Sequence, residues 1–142
     1  MAVRFFTEYD GFALENESML KKWISEVIKN HGKKTGKISY LFCSDDRILK
    51  DNMAFLNHDT YTDIITFDSV EGDLVSGDIL ISLDRVGENA KQFGVSFTQE
   101  LHRVMIHGVL HLLGFKDKSA QEAAQMRRKE EESLQLLEAL QR

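Results

Sequence analysis

With 142 residues, 42% of them hydrophobic, and a formal net charge of −5, the chain is long enough for one core and too short to suggest two. It is also too acidic overall to attract nucleic acid through global charge, so any such binding must be local. No apolar run approaches membrane-spanning length and residues 1–8 lack the regions of a secretory signal, so a single cytoplasmic domain over 1–142, with no membrane partner, is expected.

Residues 2–6 read as a short strand. An amphipathic helix over 18–31 follows, with Leu20, Trp23, Ile24, Val27 and Ile28 on one side and Gly32 ending it. Apolar and aromatic side chains make 38–43 an inner strand, within which the lone Cys43 is a small buried hydrophobe rather than a nucleophile or ligand. Ser44 or Asp45 then caps a helix that ends near Asn57 and presents Ile48, Leu49, Met53 and Leu56. A strand over about 63–67, a polar connection over 68–77 containing Gly72, and a strand over 78–83 form an antiparallel pair. The earlier strand-helix-strand crossovers should be parallel and right-handed. Residues 84–93 look helical, Gly94 breaks them, and Ser96 with Gln99 makes a capping box for a strongly apolar helix. A last helix runs from about Ser119 to near the C-terminus. No repeat, low-complexity tract or proline marks a linker. This order predicts an α+β fold with a mixed sheet and helices segregated around it.

The most informative stretch is 107–117. His107 and His111 are four positions apart, so on a helix their rings stack on one face, close enough to share an ion. They are the only polar side chains in residues 104–113, which marks that helix as buried. Two neutral imidazoles sharing a metal satisfy one another where two charged ones would repel. Gly114 stops the helix and turns the chain, which brings Asp117 back as a third ligand. Three protein ligands leave one position open, as in a catalytic zinc site.

Two families share this constellation. Metzincin proteases carry His-Glu-x-x-His-x-x-Gly-x-x-His or Asp, but their general base, the glutamate, corresponds here to Gly108, so peptide hydrolysis is the weaker reading. The chain more closely resembles the YbeY family of metal-dependent, single-strand-specific endoribonucleases, whose signature runs His-Gly-x-Leu-His-Leu-x-Gly-Tyr-Asp-His. His107, Gly108, Leu110, His111, Leu112 and Gly114 fall on it, and Phe115 replaces the tyrosine. Leu56-Asn57, the run from Thr62 to Phe67, Gly77-Asp78-Ile79-Leu80-Ile81-Ser82, Glu100-Leu101, Met126 and Glu130 extend the likeness in the right order. The resemblance implies a mostly parallel four-stranded sheet with the metal helix packed across it, zincin-like. It further implies one zinc ion on His107, His111 and Asp117, and action on single-stranded RNA in maturation of the 16S rRNA 3′ end and ribosome quality control. Ribosomal RNA and the small ribosomal subunit would be the partners. Asp63, Asp78 and Ser82 are near-site candidates on that arrangement, though Ser82 equally suits a helix cap.

Two departures from the family pattern carry consequences. Asp117 stands where the family has a third histidine, so the donor set is two nitrogens and one carboxylate oxygen, which zinc accepts and harder ions tolerate better. Between Leu56-Asn57 and Thr62 the family carries an arginine that lines the cleft, and here His58, Asp59, Thr60 and Tyr61 remain. Arg103, one turn before His107, is the best-placed catalytic substitute, with Lys116, Lys118 and His58 as further candidates for holding substrate. Other cations cluster at Lys33, Lys34 and Lys37, read as a solvated loop at a helix end, and at Arg127, Arg128 and Lys129, read as an exposed helix face. With that arginine gone, a non-catalytic ribosome assembly factor with a structural metal stays open as the alternative, and a zinc metalloprotease behind it.

Overall fold

The computed structural model describes residues 2–55 and 62–142, with only the helical backbone of 51–55. Strand β1 (Ala2–Thr7) leads through helix α1 (Glu17–Asn30) to β2 (Lys34–Cys43), and α2 (Asp45–Phe55) follows. β3 (Ile64–Asp68) and β4 (Leu74–Ser82) precede α3 (Leu83–Phe93), α4 (Phe97–Leu112) and α5 (Ala120–Leu140). The sheet order is β1-β2-β4-β3, parallel between β1 and β2 and between β2 and β4, antiparallel between β3 and β4. This is the expected mixed, mostly parallel sheet. None of the helices among the described residues is long and apolar enough to cross a membrane.

Most boundaries lie within a residue or two of the sequence reading. Ser44 caps α2 by accepting from the Arg47 N–H at 3.3 Å, Gly94 closes α3 in the left-handed conformation, and Ser96 with Gln99 forms the expected capping box. The clear differences are β2, which begins at Lys34 rather than Ile38, and β4, which begins at Leu74 rather than near Asp78; the added residues pair with each other, Lys34 with Leu74 and Thr35 with Val75. The connection is a hairpin extension: Glu71 and Leu74 pair across a tight turn whose first central residue, Gly72, has φ +56°.

Helix α4 lies across the inner face of the sheet, where Val104, Met105, Val109 and Leu110 are buried with Ile79 and Ile81 of β4 and Tyr40 of β2. The Tyr40 hydroxyl donates to the Met105 carbonyl at 2.9 Å, and burial raises its pKa far above the usual tyrosine value. The approach is closest at two glycines. A Cβ on Gly108 would stand 3.0 Å from both Ile64 Cδ1 and Ile79 Cδ1, and one on Gly77 would stand 2.9 Å from Leu112 Cδ2. Gly108 therefore faces the sheet, and no carboxylate side chain fits there without displacing it. α5 closes the other side of α4 with a stripe of Met126, Glu130, Ser133 and Leu137, and the Trp23 indole N–H of α1 donates to the Ser133 carbonyl at 2.6 Å.

Candidate metal centre

The helical repeat of α4 sets the His107 and His111 ring centroids 4.5 Å apart. Beyond Leu113 the chain makes a Schellman turn. Gly114, at φ +103°, donates its N–H to the His111 carbonyl at 2.9 Å, and Phe115 donates to the Leu110 carbonyl at 3.0 Å. That turn reverses the chain and carries Asp117 back over the helix. Asp117 Oδ2 lies 3.3 Å from His107 Nε2 and 3.5 Å from His111 Nε2.

These separations fit a metal. In a tetrahedral zinc site with bonds of about 2.0–2.1 Å, neighbouring donor atoms are about 3.3–3.4 Å apart. His107, His111 and Asp117 are the one His/Cys/Asp/Glu group of this kind among the described residues, and their donor atoms lie within 4.8 Å of one another. Two imidazole nitrogens and one carboxylate oxygen are a donor set that zinc accepts.

Each imidazole is held from behind. His107 Nδ1 is 2.5 Å from Glu130 Oε2, and His111 Nδ1 is 3.0 Å from the Phe115 carbonyl. A carboxylate and a carbonyl only accept, so both Nδ1 atoms donate and both Nε2 lone pairs face Asp117. Glu130 is only 2% exposed. Burial alone would raise its pKa, but the hydrogen bond from His107 and the Arg103 guanidinium more than offset that and hold it below the usual glutamate value.

Arg103 has neighbours other than a phosphate. Its Nε and Nη2 contact the two Glu100 oxygens at 3.0 and 2.5 Å, its Nη1 donates to Glu130 Oε1 at 3.0 Å, and Asp63 Oδ2 lies 4.0 Å from Nη2. Glu100 is also 2% exposed, so the guanidinium is the shared cation of two buried carboxylates, one of which orients His107. Asp63 lies beside this cluster and takes a weak hydrogen bond from Asn89 at 3.4 Å; burial raises its pKa, with His107 and Arg103 opposing.

Two near-site expectations need correcting. Ser82 is fully buried on the opposite face of the sheet, where its hydroxyl donates to Asp45 Oδ1 at 2.7 Å and accepts from the Arg85 N–H as the α3 cap. Buried there, it is out of reach of a substrate at α4. Asp78 alternates with Gly77 and Ile79 and is exposed on that same outer face, away from α4. Lys116 and Lys118 are exposed on either side of Asp117. His58 lies outside the described residues. Sequence reading assigned no role to Glu130, Glu100 or the Phe115 carbonyl. The available signal for Glu130 was its place within the Met126, Ser133 and Leu137 stripe, where a charge needs a partner.

An α+β sheet with a buried helix presenting a His-His-Asp donor set defines a zincin-like, metal-dependent class of protein. The family model described as Endoribonuclease YbeY matches residues 7–138. An endoribonuclease YbeY of Porphyromonas gingivalis is 53% identical over 96% of this chain and 90% of its own length, and that of Christiangramia forsetii is 49% identical over 94% and 93%. Among solved structures, the solution structure of TM1509 from Thermotoga maritima superposes with a TM-score of 0.65 at 29% identity, covering 97% of this chain and 93% of its own. The chain belongs to the YbeY endoribonuclease family.

Proposed function

We propose that this protein is a metal-dependent endoribonuclease that cuts single-stranded RNA during ribosomal RNA maturation, at the 16S 3′ end and in ribosome quality control, in the cytoplasm. One zinc ion held by His107, His111 and Asp117 serves it. The observation that carries this reading is the meeting of three donor atoms at tetrahedral spacing, with both imidazoles fixed from behind, in a chain of this family.

When bound, such an ion supplies Lewis acidity, drawing charge from a phosphate oxygen and making water a nucleophile at neutral pH. The remaining roles fall to the chain. Glu130 and the Phe115 carbonyl keep the two Nε2 atoms aimed at the centre, and Arg103 balances the buried charge of Glu130 and Glu100, a positioning role. Substrate phosphate then falls to the exposed Lys116 and Lys118. Position 108 supplies no proton acceptor, which weighs against peptide hydrolysis and suits slow processing chemistry.

The test is cleavage of a labelled single-stranded RNA by purified protein, its chelator-treated form and His111→Ala, with metal content measured on all three. Cleavage confined to the metal-loaded wild type is expected, and His111→Ala loses metal and activity together. Full metal loading without cleavage, or activity that survives complete metal loss, would sink the reading.

A further inference from the structure

The metal centre holds a scissile bond, yet a chain of net charge −5 whose nearest arginine is occupied by Glu100 and Glu130 has little there to hold the rest of an RNA strand. Sequence-independent affinity for a strand comes from cations lying along its phosphates. The structure places such cations at the edge of the sheet. Lys21, Ser25 and Lys29 are spaced four apart, so they share the face of α1 that borders edge strand β1. With Lys33, Lys34 and Ala2 they line an open groove of about 810 Å³.

The groove is electrostatically available. Among the described residues no carboxylate pairs with Lys21, Lys29 or Lys34, and Lys29 and Lys34 are exposed. Lys33 pairs with Asp73 at 3.2 Å across an exposed surface, where such a pair contributes little and yields to a better anion. Lysines serve as point charges on flexible stems, suited to a backbone of any sequence.

The groove ends at Gly32, next in the chain to a residue that touches the metal turn. His31, which caps α1, meets Phe115 edge to face with ring centroids 5.5 Å apart, and Lys129 Nζ lies 5.8 Å from the centroid of that same ring. Phe115 precedes Asp117 by two positions, and Lys116 and Lys118 flank that ligand. Lys116, Lys118 and Lys129, the last paired with Glu132 at 3.3 Å, thus lie on the side of His31 toward the metal turn, and Lys33, Lys34 and the α1 lysines lie on the other.

We propose that this groove is an exosite for the phosphate backbone of single-stranded RNA whose scissile bond lies at His107, His111 and Asp117. The proposal rests on the ribonuclease reading and adds where the strand continues. It predicts that affinity grows with strand length beyond what the metal centre alone can grip.

The experiment compares the full chain with a Lys21→Gln, Lys29→Gln, Lys34→Gln triple variant and a control of equal charge loss, Lys91→Gln, Arg128→Gln, Arg142→Gln. Binding by fluorescence anisotropy uses labelled strands of about 4 and about 16 nucleotides, beside cleavage of the short one and metal content. Three lost phosphate contacts at about 0.7 each should lower the log K against log salt slope by about 2, an affinity loss of about 100-fold at 0.1 M salt for the long strand. Short-strand cleavage and metal content should be unchanged in the groove variant, and the control should lose much less. Equal losses in both triple variants, or none in the groove variant, would overturn the proposal. So would binding to phosphatidylserine vesicles that the groove variant alone loses while RNA affinity stays intact, which would assign the groove to a lipid surface. A wild type that fails to cleave any strand, yet loses long-strand binding in the groove variant, would sustain the exosite and sink the nuclease reading.

Discussion

Two networks of acids, arginine and hydroxyl or imidazole groups tie this fold together, one along α4 and one at the ends of β2 and β4, and they end differently. In the second, Ser82 donates to Asp45, Arg85 Nε bridges both Asp45 oxygens at 3.0 and 3.1 Å, and Asp84 accepts from the Asp45 N–H at 2.9 Å and the Tyr9 hydroxyl at 2.7 Å. Each of these contacts returns to another member, and the result is a clasp between the β1 exit, α2 and α3. In the first, Glu100, Arg103 and Glu130 lead to His107, and its Nε2 faces His111 Nε2 and Asp117 Oδ2. Similar residue types thus build a structural lock in one place and a ligand set in the other. What distinguishes the site is a network that terminates on donor atoms facing one another, rather than the presence of charge.

The largest effect should come from opening the first network at its centre. Arg103→Met leaves Glu100 and Glu130 buried without their cation, and breaking a buried pair in this way costs about 3–5 kcal/mol. Urea unfolding measures it, and Arg103→Lys, which keeps the charge but not the fork, should fall between. If Arg103→Met instead left stability unchanged and weakened RNA binding alone, the guanidinium would be a phosphate holder, and the contrast with the clasp would fail. A milder break separates positioning from folding. Glu130→Gln retains an acceptor for His107 Nδ1 but removes the negative charge, and loss of such a partner weakens metal binding by about 10- to 100-fold, as chelator competition would show. The matching change in the clasp, Ser82→Ala, removes the α3 cap and should cost about 0.5–2 kcal/mol with metal affinity unaltered. A metal defect in Ser82→Ala would mean that the two networks communicate.

The same contrast explains what could be read from sequence. The ligand set was legible because its geometry is local: an i,i+4 pair, one glycine at positive φ and a three-residue return to Asp117. Arg103 could not be placed, because its partner Glu130 is 27 residues away on another helix and sequence spacing shows only the neighbouring Glu100. Ser82 and Asp78 were drawn toward the site because Ile79, Leu80 and Ile81 are all buried, so alternation along β4 hides which face looks at α4. The covering of the outer face, where Leu80 packs with Ile48, Cys43 and Ile65, is a property of the assembled fold. The early start of β4 was hidden for a related reason: Ser69, Ser76 and the exposed Leu74 carry no alternation that marks a strand, and the pairing is set by the turn at Gly72.

The smallest expected effect probes the clasp alone, through pH. The Asp45 N–H and then the Tyr9 hydroxyl hold Asp84 below its ordinary value of 3.8, while the hydrogen bond to Asp84 raises Tyr9 above its ordinary value of 10.0. For Asp84 the folded pKa is depressed, so its contribution is complete above the unfolded value and is lost as pH falls through the folded one. For Tyr9 the folded pKa is raised, so its contribution is present below 10.0 and is lost as pH rises through the folded value. Both groups are solvent-accessible, which keeps the effect small in neutral solution. Tyr9→Phe should therefore differ from wild type in urea midpoint across the middle of the pH range, and the two curves should converge at both extremes. Metal affinity should match throughout, since the clasp does not reach the ligands. A difference that stayed constant from acid to alkali would show that the Tyr9 hydroxyl acts independently of the Asp84 charge, and the clasp would then depend on Asp45, Ser82 and Arg85 without that ionic hydrogen bond.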